Sequence, residues 1–206
     1  MWNKGGFEMD ESRSGSKTRK GRLFVLVGPS GVGKGTLRMK ALSDIEDLIY
    51  SVSCTTRPPR EIERDGVEYN FVTAQDFEER VAKGLFLEHA IVHGYRYGTL
   101  LEYVEREMNA GRDVLLEIDV QGARQVRKVL PESVLIFIAP PSLDALEKRL
   151  RLRRTESEDK ITIRLENAKK EMALLSEFDH VVVNDNLEQA CKELRDVLLN
   201  YRKNAG

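Results

Sequence analysis

The chain has 206 residues, 41% of them hydrophobic and 33% charged, with a formal net charge of -1. That content supports one domain with a real core, excludes a largely disordered chain, and argues against a global preference for nucleic acid or an anionic membrane. Two cysteines far apart (Cys54 and Cys191), no apolar run of membrane-spanning length and no secretion signal at the start point to a reduced cytoplasmic protein.

Residues 1–20 are polar, rich in Gly, Ser and charge, and without periodicity, which reads as a mobile extension outside a domain at 21–203. LFVLV (23–27) reads as a buried strand and TLRMKALS (36–43) as the helix after it, with IYSVS (49–53) as a second strand. Residues 55–98 then break the rhythm. They are rich in Arg, Tyr and Gly and carry short β-like pieces, YNFV and FLEHAIV, with Thr73-Ala74-Gln75-Asp76 as a capping box opening a helix at Phe77. Helices follow at about 101–109, 121–130 and 142–151. Between them lie DVLLEID (113–119) and VLIFIA (134–139), continuous apolar runs as expected of strands covered on both faces. RLRLRRTES (149–157) is a basic patch between two helices. A long helix over about 158–176 places Ile161, Leu165, Ala168, Met172 and Leu175 on one stripe. VVVN (181–184) is the last strand, and Leu187, Ala190, Leu194, Val197, Leu198 and Tyr201 mark a closing helix. Strands alternating with helices imply an α/β fold, a parallel sheet flanked by helices. The stretches 55–98 and 149–157 are then insertions at its binding edge.

The strongest local signal is Gly28-Pro29-Ser30-Gly31-Val32-Gly33-Lys34-Gly35-Thr36, directly after one strand and before one helix, the context a phosphate-binding loop requires. Glycines let successive backbone N–H groups point inward, the helix N-terminus adds its positive dipole end, and Lys34 can bridge the β- and γ-phosphates of a nucleoside triphosphate. Ser or Thr ordinarily follows the lysine; here Gly35 does, so Thr36 is the nearest hydroxyl for Mg²⁺. An ordinary glycine-rich turn is the bland alternative, and the flanking elements count against it. A second cluster runs from Ser51 to Arg60 and continues through Asp65-Gly66-Val67-Glu68-Tyr69-Asn70-Phe71. Arg57 and Arg60, held extended by Pro58-Pro59, can converge on one dianionic phosphate, and Tyr69 and Tyr97 add hydroxyl donors without charge. Taken alone, those two arginines fit a solvated loop equally well.

With these motifs in this order the chain resembles the guanylate kinase family. The resemblance covers about 22–202 and rests on GPSGVGKGT, SVSCTTRPPR, DGVEYNFV, FLEHAIVHGYRYGT, LEIDVQG, IAPPS, RLRLRRTES and VVVNDNLE. It implies a P-loop nucleoside-monophosphate kinase fold with a parallel five-stranded core sheet, formed by 21–54 and 99–203. To that core it adds a small GMP-binding insertion at about 55–98 and a short lid at about 149–157. The implied reaction is phosphorylation of GMP, and by extension dGMP, by ATP with Mg²⁺. ATP and GMP are the implied partners; no nucleic acid, membrane or protein partner is.

By the same resemblance Arg57, Arg60, Tyr69 and Tyr97 hold the GMP phosphate, Ser53 and Thr99 bond guanine O6, and Glu88 accepts from guanine N1–H and the 2-amino group. That last pairing also follows from chemistry, since a carboxylate only accepts and adenine offers a lone pair at N1. Asp119 and Glu117, two apart on one strand face, are assigned to the acceptor nucleotide, with their division of roles open. No direct protein ligand is implied for the metal, which stands near Gly35, Thr36 and Asp119 and is held through ATP phosphates and water. Arg153 and Arg164 fall on the family's lid arginines, catalytic with Lys34 and Arg60. Arg151 and Arg154 read as ordinary helix-end charges. Asn184 falls in the adenine-side loop, and no histidine is needed. Two rivals stand beside this reading: a kinase acting on AMP, UMP or dTMP, which would differ at Ser53, Glu88 and Thr99, and a related protein-binding module that has lost catalysis.

Overall fold

The computed structural model describes residues 19–92, 94–152 and 157–203. In chain order, β1 (Leu23–Val27) is followed by α1 (Lys34–Leu42), β2 (Leu48–Tyr50), β3 (Cys54–Thr55), β4 (Asn70–Phe71), α2 (Ala74–Ala82), β5 (Phe86–Val92) and β6 (Tyr95–Leu100). Then come α3 (Leu101–Asn109), β7 (Asp113–Glu117), α4 (Val120–Val129), β8 (Val134–Ala139), α5 (Leu143–Leu152), α6 (Glu158–Met172), β9 (His180–Val183) and α7 (Leu187–Lys203).

Five of these strands form one sheet in the order β2-β7-β1-β8-β9, every neighbouring pair parallel. The connection after β1 runs to β2 on one side and the connection after β7 crosses to β8 on the other, so a crevice opens at the carboxyl ends of β1 and β7, the usual ligand position of an open α/β sheet. All five β1 residues are buried because alternate side chains serve two cores. Phe24 and Leu26 pack with Leu37 and Ala41 of α1, Leu146 of α5 and Leu194 of α7. Leu23, Val25 and Val27 pack with Val104 of α3 and Val120, Ala123 and Val126 of α4.

The 55–98 stretch folds into a second sheet, ordered β4-β3-β6-β5, with α2 against it. Its own small core joins Cys54, Phe77 and Phe86, the two phenyl rings stacked with centroids 4.4 Å apart. Leu87, next to Phe86, enters the main core beside Val120 and Val126 instead. β5 therefore ties the insertion to α4.

Several boundaries differ from the sequence expectations. IYSVS forms a strand only over Leu48–Tyr50, because Val52 and Ser53 leave the main sheet's edge to enter the second sheet at Cys54. The first helix begins at Lys34 rather than 36. α2 begins at Ala74 rather than Phe77: Thr73 is its N-cap, accepting from the Asp76 amide at 3.0 Å. YNFV pairs only over Asn70–Phe71. The long helix ends at Met172, with a separate 3-10 turn at Leu175–Glu177. The basic patch is not all loop. Arg149 and Arg151 lie in the last turn of α5, Ser157 is the N-cap of α6, and 153–156 lie outside the described residues. Arg19, assigned to the extension, bonds Asp113 Oδ2 at 2.8 Å, where the fully buried carboxylate also takes Arg202 at 2.6 Å.

Candidate active site

The donor side is built at the carboxyl end of β1. Gly28, Gly31 and Gly33 take φ values of 146°, 88° and 99°, a backbone that other residues rarely adopt. The loop feeds α1, whose first turn has no side-chain cap, so its amides are available to an anion. Lys34 Nζ donates to the carbonyl of Gly28 at 2.6 Å and more weakly to that of Pro29 at 3.4 Å, which folds the ammonium back over the loop. From α6, Arg164 Nη1 donates to Ser30 Oγ, so this arginine reaches the loop from a distant element.

Asn184, just past β9, is 6% exposed, and its amide donates to the Val32 carbonyl at 2.7 Å. Its backbone carbonyl accepts from Arg149 Nη2 at 2.8 Å. The side chain therefore braces the loop from within. A Cβ on Gly33 would stand 2.7 Å from Asn184 Nδ2, on top of the positive φ. Gly33→Ala is expected to weaken ATP binding about tenfold or more, given roughly 1–3 kcal/mol of backbone strain at such positions. Calorimetric titration with ATP measures it, and unchanged affinity would contradict the requirement.

On the acceptor side, Arg57 and Arg60 share a residue that the sequence reading missed, Glu63. Its Oε1 accepts from Arg57 Nη2 at 2.8 Å, and its Oε2 accepts from the Arg60 amide at 2.8 Å. Those two bonds hold its carboxyl below the ordinary range, and the one from Arg57 raises that guanidinium, which also has Tyr97 beside it. The Arg60 side chain stays 75% exposed. Tyr69 packs edge-on to Tyr97 with centroids 5.7 Å apart, and the Arg57 guanidinium lies 5.4 Å from the Tyr69 centroid. Arg57, Tyr69 and Tyr97 thus form one wall, with Arg60 at its open edge. Ser53 is half-buried where the chain crosses into the second sheet, its carbonyl accepting from Asn70 N at 2.9 Å.

Glu88 is 4% exposed and Thr99 is fully buried. They face each other through a register shift between Phe86 and Glu88, which puts Glu88 opposite Thr99 instead of Gly98. Thr99 Oγ1 donates to Glu88 Oε1 at 2.7 Å. Burial pushes the Glu88 carboxyl up to about 7; the Thr99 bond opposes this, and the Asp119 charge adds to it. Because Thr99 has a single proton, donating it to Glu88 leaves only lone pairs for a base.

Glu117 and Asp119 end β7 differently. Glu117 Oε2 is 3.8 Å from Arg38 Nε, and the Arg38 guanidinium lies 4.0 Å over the Tyr50 ring. Burial and Glu117 push the Tyr50 hydroxyl up to about 12. Asp119 caps α4, its Oδ1 accepting from the Gly122 amide at 2.8 Å. The Asp119 charge acts on Glu88 and also on Glu171, on which the Lys34 charge acts as well. Glu171 was missed as well. Its Oε2 is buried without a hydrogen-bond partner, and burial raises its carboxyl while Lys34 lowers it. The available signal was an acid three residues after Ala168 on the buried stripe of α6.

Arg153 lies outside the described residues. Among those described, no three His, Cys, Asp or Glu side chains gather as a metal cluster, and no helix is long and apolar enough to cross a membrane. One or two carboxylates and a hydroxyl suit a Mg²⁺ ion that keeps its waters and takes substrate phosphates.

The sequence profile of guanylate kinase matches residues 20–201. A guanylate kinase of Thermotoga maritima is 48% identical over 183 residues, covering 89% of this chain and 88% of that relative. One of Thermus thermophilus is 50% identical over 190 residues, covering 92% and 85%. The crystal structure of guanylate kinase from Anaplasma phagocytophilum aligns with a TM-score of 0.70 at 30% identity, covering 89% of this chain and 87% of that one. The profile and these relatives match over most of the chain, and the chain belongs to the guanylate kinase family.

Proposed function

We propose that the two pockets work as one site, in which ATP phosphorylates GMP to GDP by the following division of labour. The observation that carries it is Glu88, a buried carboxylate bonded by the Thr99 hydroxyl and within reach of the Asp119 charge, in a chain whose glycine loop suits a triphosphate. Ionised, Glu88 accepts from guanine N1–H and the 2-amino group, and adenine would leave it unpaired. Ser53 donates to O6. Thr99 does so whenever its proton is released from Glu88. Arg57, Arg60, Tyr69 and Tyr97 take the GMP phosphate, which displaces part of the Glu63 contact, and Glu117 and Asp119 line the rest of the acceptor pocket.

On the donor side, residues 28–36 cradle ATP with backbone amides, and Asn184 holds that loop in shape from the adenine side. A GMP phosphate oxygen attacks the γ-phosphorus in line; that bond forms as the bridging β–γ bond breaks, and its electrons stay on the ADP oxygen. The nucleophile is already anionic, so no general base is required. Lys34, Arg153 and Arg164 balance the charge on the transferred group. A Mg²⁺ ion, when bound, would supply neutralising charge to the ATP phosphates. Thr36 and the Glu117 and Asp119 carboxylates would hold its water shell. Both cysteines are free thiols, in keeping with a cytoplasmic site of action.

A coupled assay with ATP and a panel of GMP, dGMP, AMP, UMP and dTMP tests the reading. Turnover is expected with the guanine nucleotides, and a pyrimidine or adenine acceptor used as efficiently as GMP would overturn it.

A further inference from the structure

β5 is an outer strand of the second sheet, so one of its edges has main-chain groups with no neighbouring strand. Helix α4 lies along that edge. The Gln125 side chain accepts from the His89 amide at 3.1 Å and donates to the His89 carbonyl at 2.9 Å. A single amide thereby satisfies both main-chain groups of the residue next to Glu88, as a paired strand would. One turn earlier on the same helix face is Gly122. A Cβ there would stand 2.7 Å from Glu88 Oε2 and 3.1 Å from Ile118 Cδ1. Glycine is unfavourable in a helix, so its presence in the first turn of α4 calls for a reason. The close carboxylate supplies one. Glu88 Oε1 is taken by Thr99, and Oε2 rests against the backbone of α4 near its positive dipole end, where an anion is favoured.

We infer that Gly122 and Gln125 are positioning residues for guanine recognition: Gln125 fixes the height of β5 through His89, and Gly122 leaves the space in which the Glu88 carboxylate is aimed. This rests on reading Glu88 as the acceptor for N1–H and the 2-amino group. A side chain at 122 pushes the carboxylate away from α4 and towards the base, so that it no longer spans both guanine donors. Loss of the Gln125 clamp lets the strand carrying Glu88 shift along the helix.

The test uses the full chain with Gly122→Ala, Gln125→Met and Glu88→Gln. For each, steady-state rates are measured with GMP and with inosine monophosphate, which lacks the 2-amino group, together with the KM for ATP and the Tm. Gly122→Ala is expected to raise the KM for GMP about tenfold or more and to lower the preference for GMP over inosine monophosphate by a similar factor. The KM for ATP and kcat at saturating GMP should stay within about threefold. Gln125→Met should move the same two quantities in the same direction by about three- to tenfold, and it serves alone if Gly122→Ala does not fold. A purely structural role would lower Tm without altering the preference. If Glu88→Gln abolishes the preference while both α4 variants keep it, the positioning role is overturned. If Glu88→Gln itself keeps the preference, the underlying assignment of Glu88 fails instead.

Discussion

Lys34→Ala is expected to lower kcat about a thousandfold and to leave the KM for GMP within about threefold, the pattern of an interaction made mainly in the transition state. In the proposed division of labour Lys34 belongs to the donor side. Its ammonium bonds the loop carbonyls of Gly28 and Pro29, and its charge acts on the nearby Glu171 carboxyl. A triphosphate offers stronger acceptors than two carbonyls, so the ammonium moves onto the β- and γ-phosphates without having to desolvate from bulk water. Lys34→Met keeps the stem and removes only the charge, and should match the alanine variant. Lys34→Arg restores charge, but a planar fork replaces a compact point charge in a loop shaped by glycines, and it should recover only part of the rate. Single-turnover rates with saturating ATP and GMP measure the chemical step directly. A kcat within tenfold of the parent in the methionine variant would remove Lys34 from the transition state.

Glu88→Gln is expected to raise the KM for GMP about a hundredfold, since up to two charge-assisted bonds of about 1.5–3 kcal/mol each are lost and an amide donor is turned towards guanine donors. The same variant should change the pH profile. Burial pushes Glu88 from 4.5 up to about 7 in the folded chain, so below that pH the side chain is protonated and one acceptor is missing. GMP binding favours the ionised form and therefore expels a proton at pH below about 7. The affinity for GMP should tighten as pH rises through 7, with proton release visible as a dependence of the calorimetric heat on buffer. The phosphate monoester of GMP itself titrates near pH 6, about the value for such groups, so the informative quantity is the difference between parent and variant. Stability runs the other way. The unfolded chain gives up this proton from about pH 4.5, while the folded chain keeps it to about pH 7. Glu88 therefore costs the fold progressively more as pH rises across that window, and the cost is constant above it. Urea midpoints at pH 5 and pH 8 should show a smaller drop in Glu88→Gln than in the parent. An equal drop, together with unchanged proton release, would place the titration elsewhere.

Much of the donor side is legible in the chain itself, since its geometry is local. A run such as LFVLV declares a strand covered on both faces, and Gly28 through Thr36 prescribe a loop and a helix start within nine residues. The α3 boundaries at 101–109 and the burial of β7 and β8 follow from the same near-neighbour patterns. The acceptor side is less legible. β3 is two residues long, and β6 reads as a polar, aromatic stretch, so neither has the length or alternation that marks a strand. They exist because Cys54 and Thr55 pair with Gly98 and Tyr97 across more than forty residues.

Residue types and their order thus determined the family resemblance, the phosphate loop and the chemical preference of a carboxylate for guanine. Only the tertiary structure decided that Glu63 ties the two acceptor arginines, that Arg164 and Asn184 arrive at the loop from far along the chain, and that a one-residue shift in β5 aims Glu88 at Thr99. Propensity and periodicity act over a few residues and are written in them, whereas a contact between distant segments depends on how every intervening element packs.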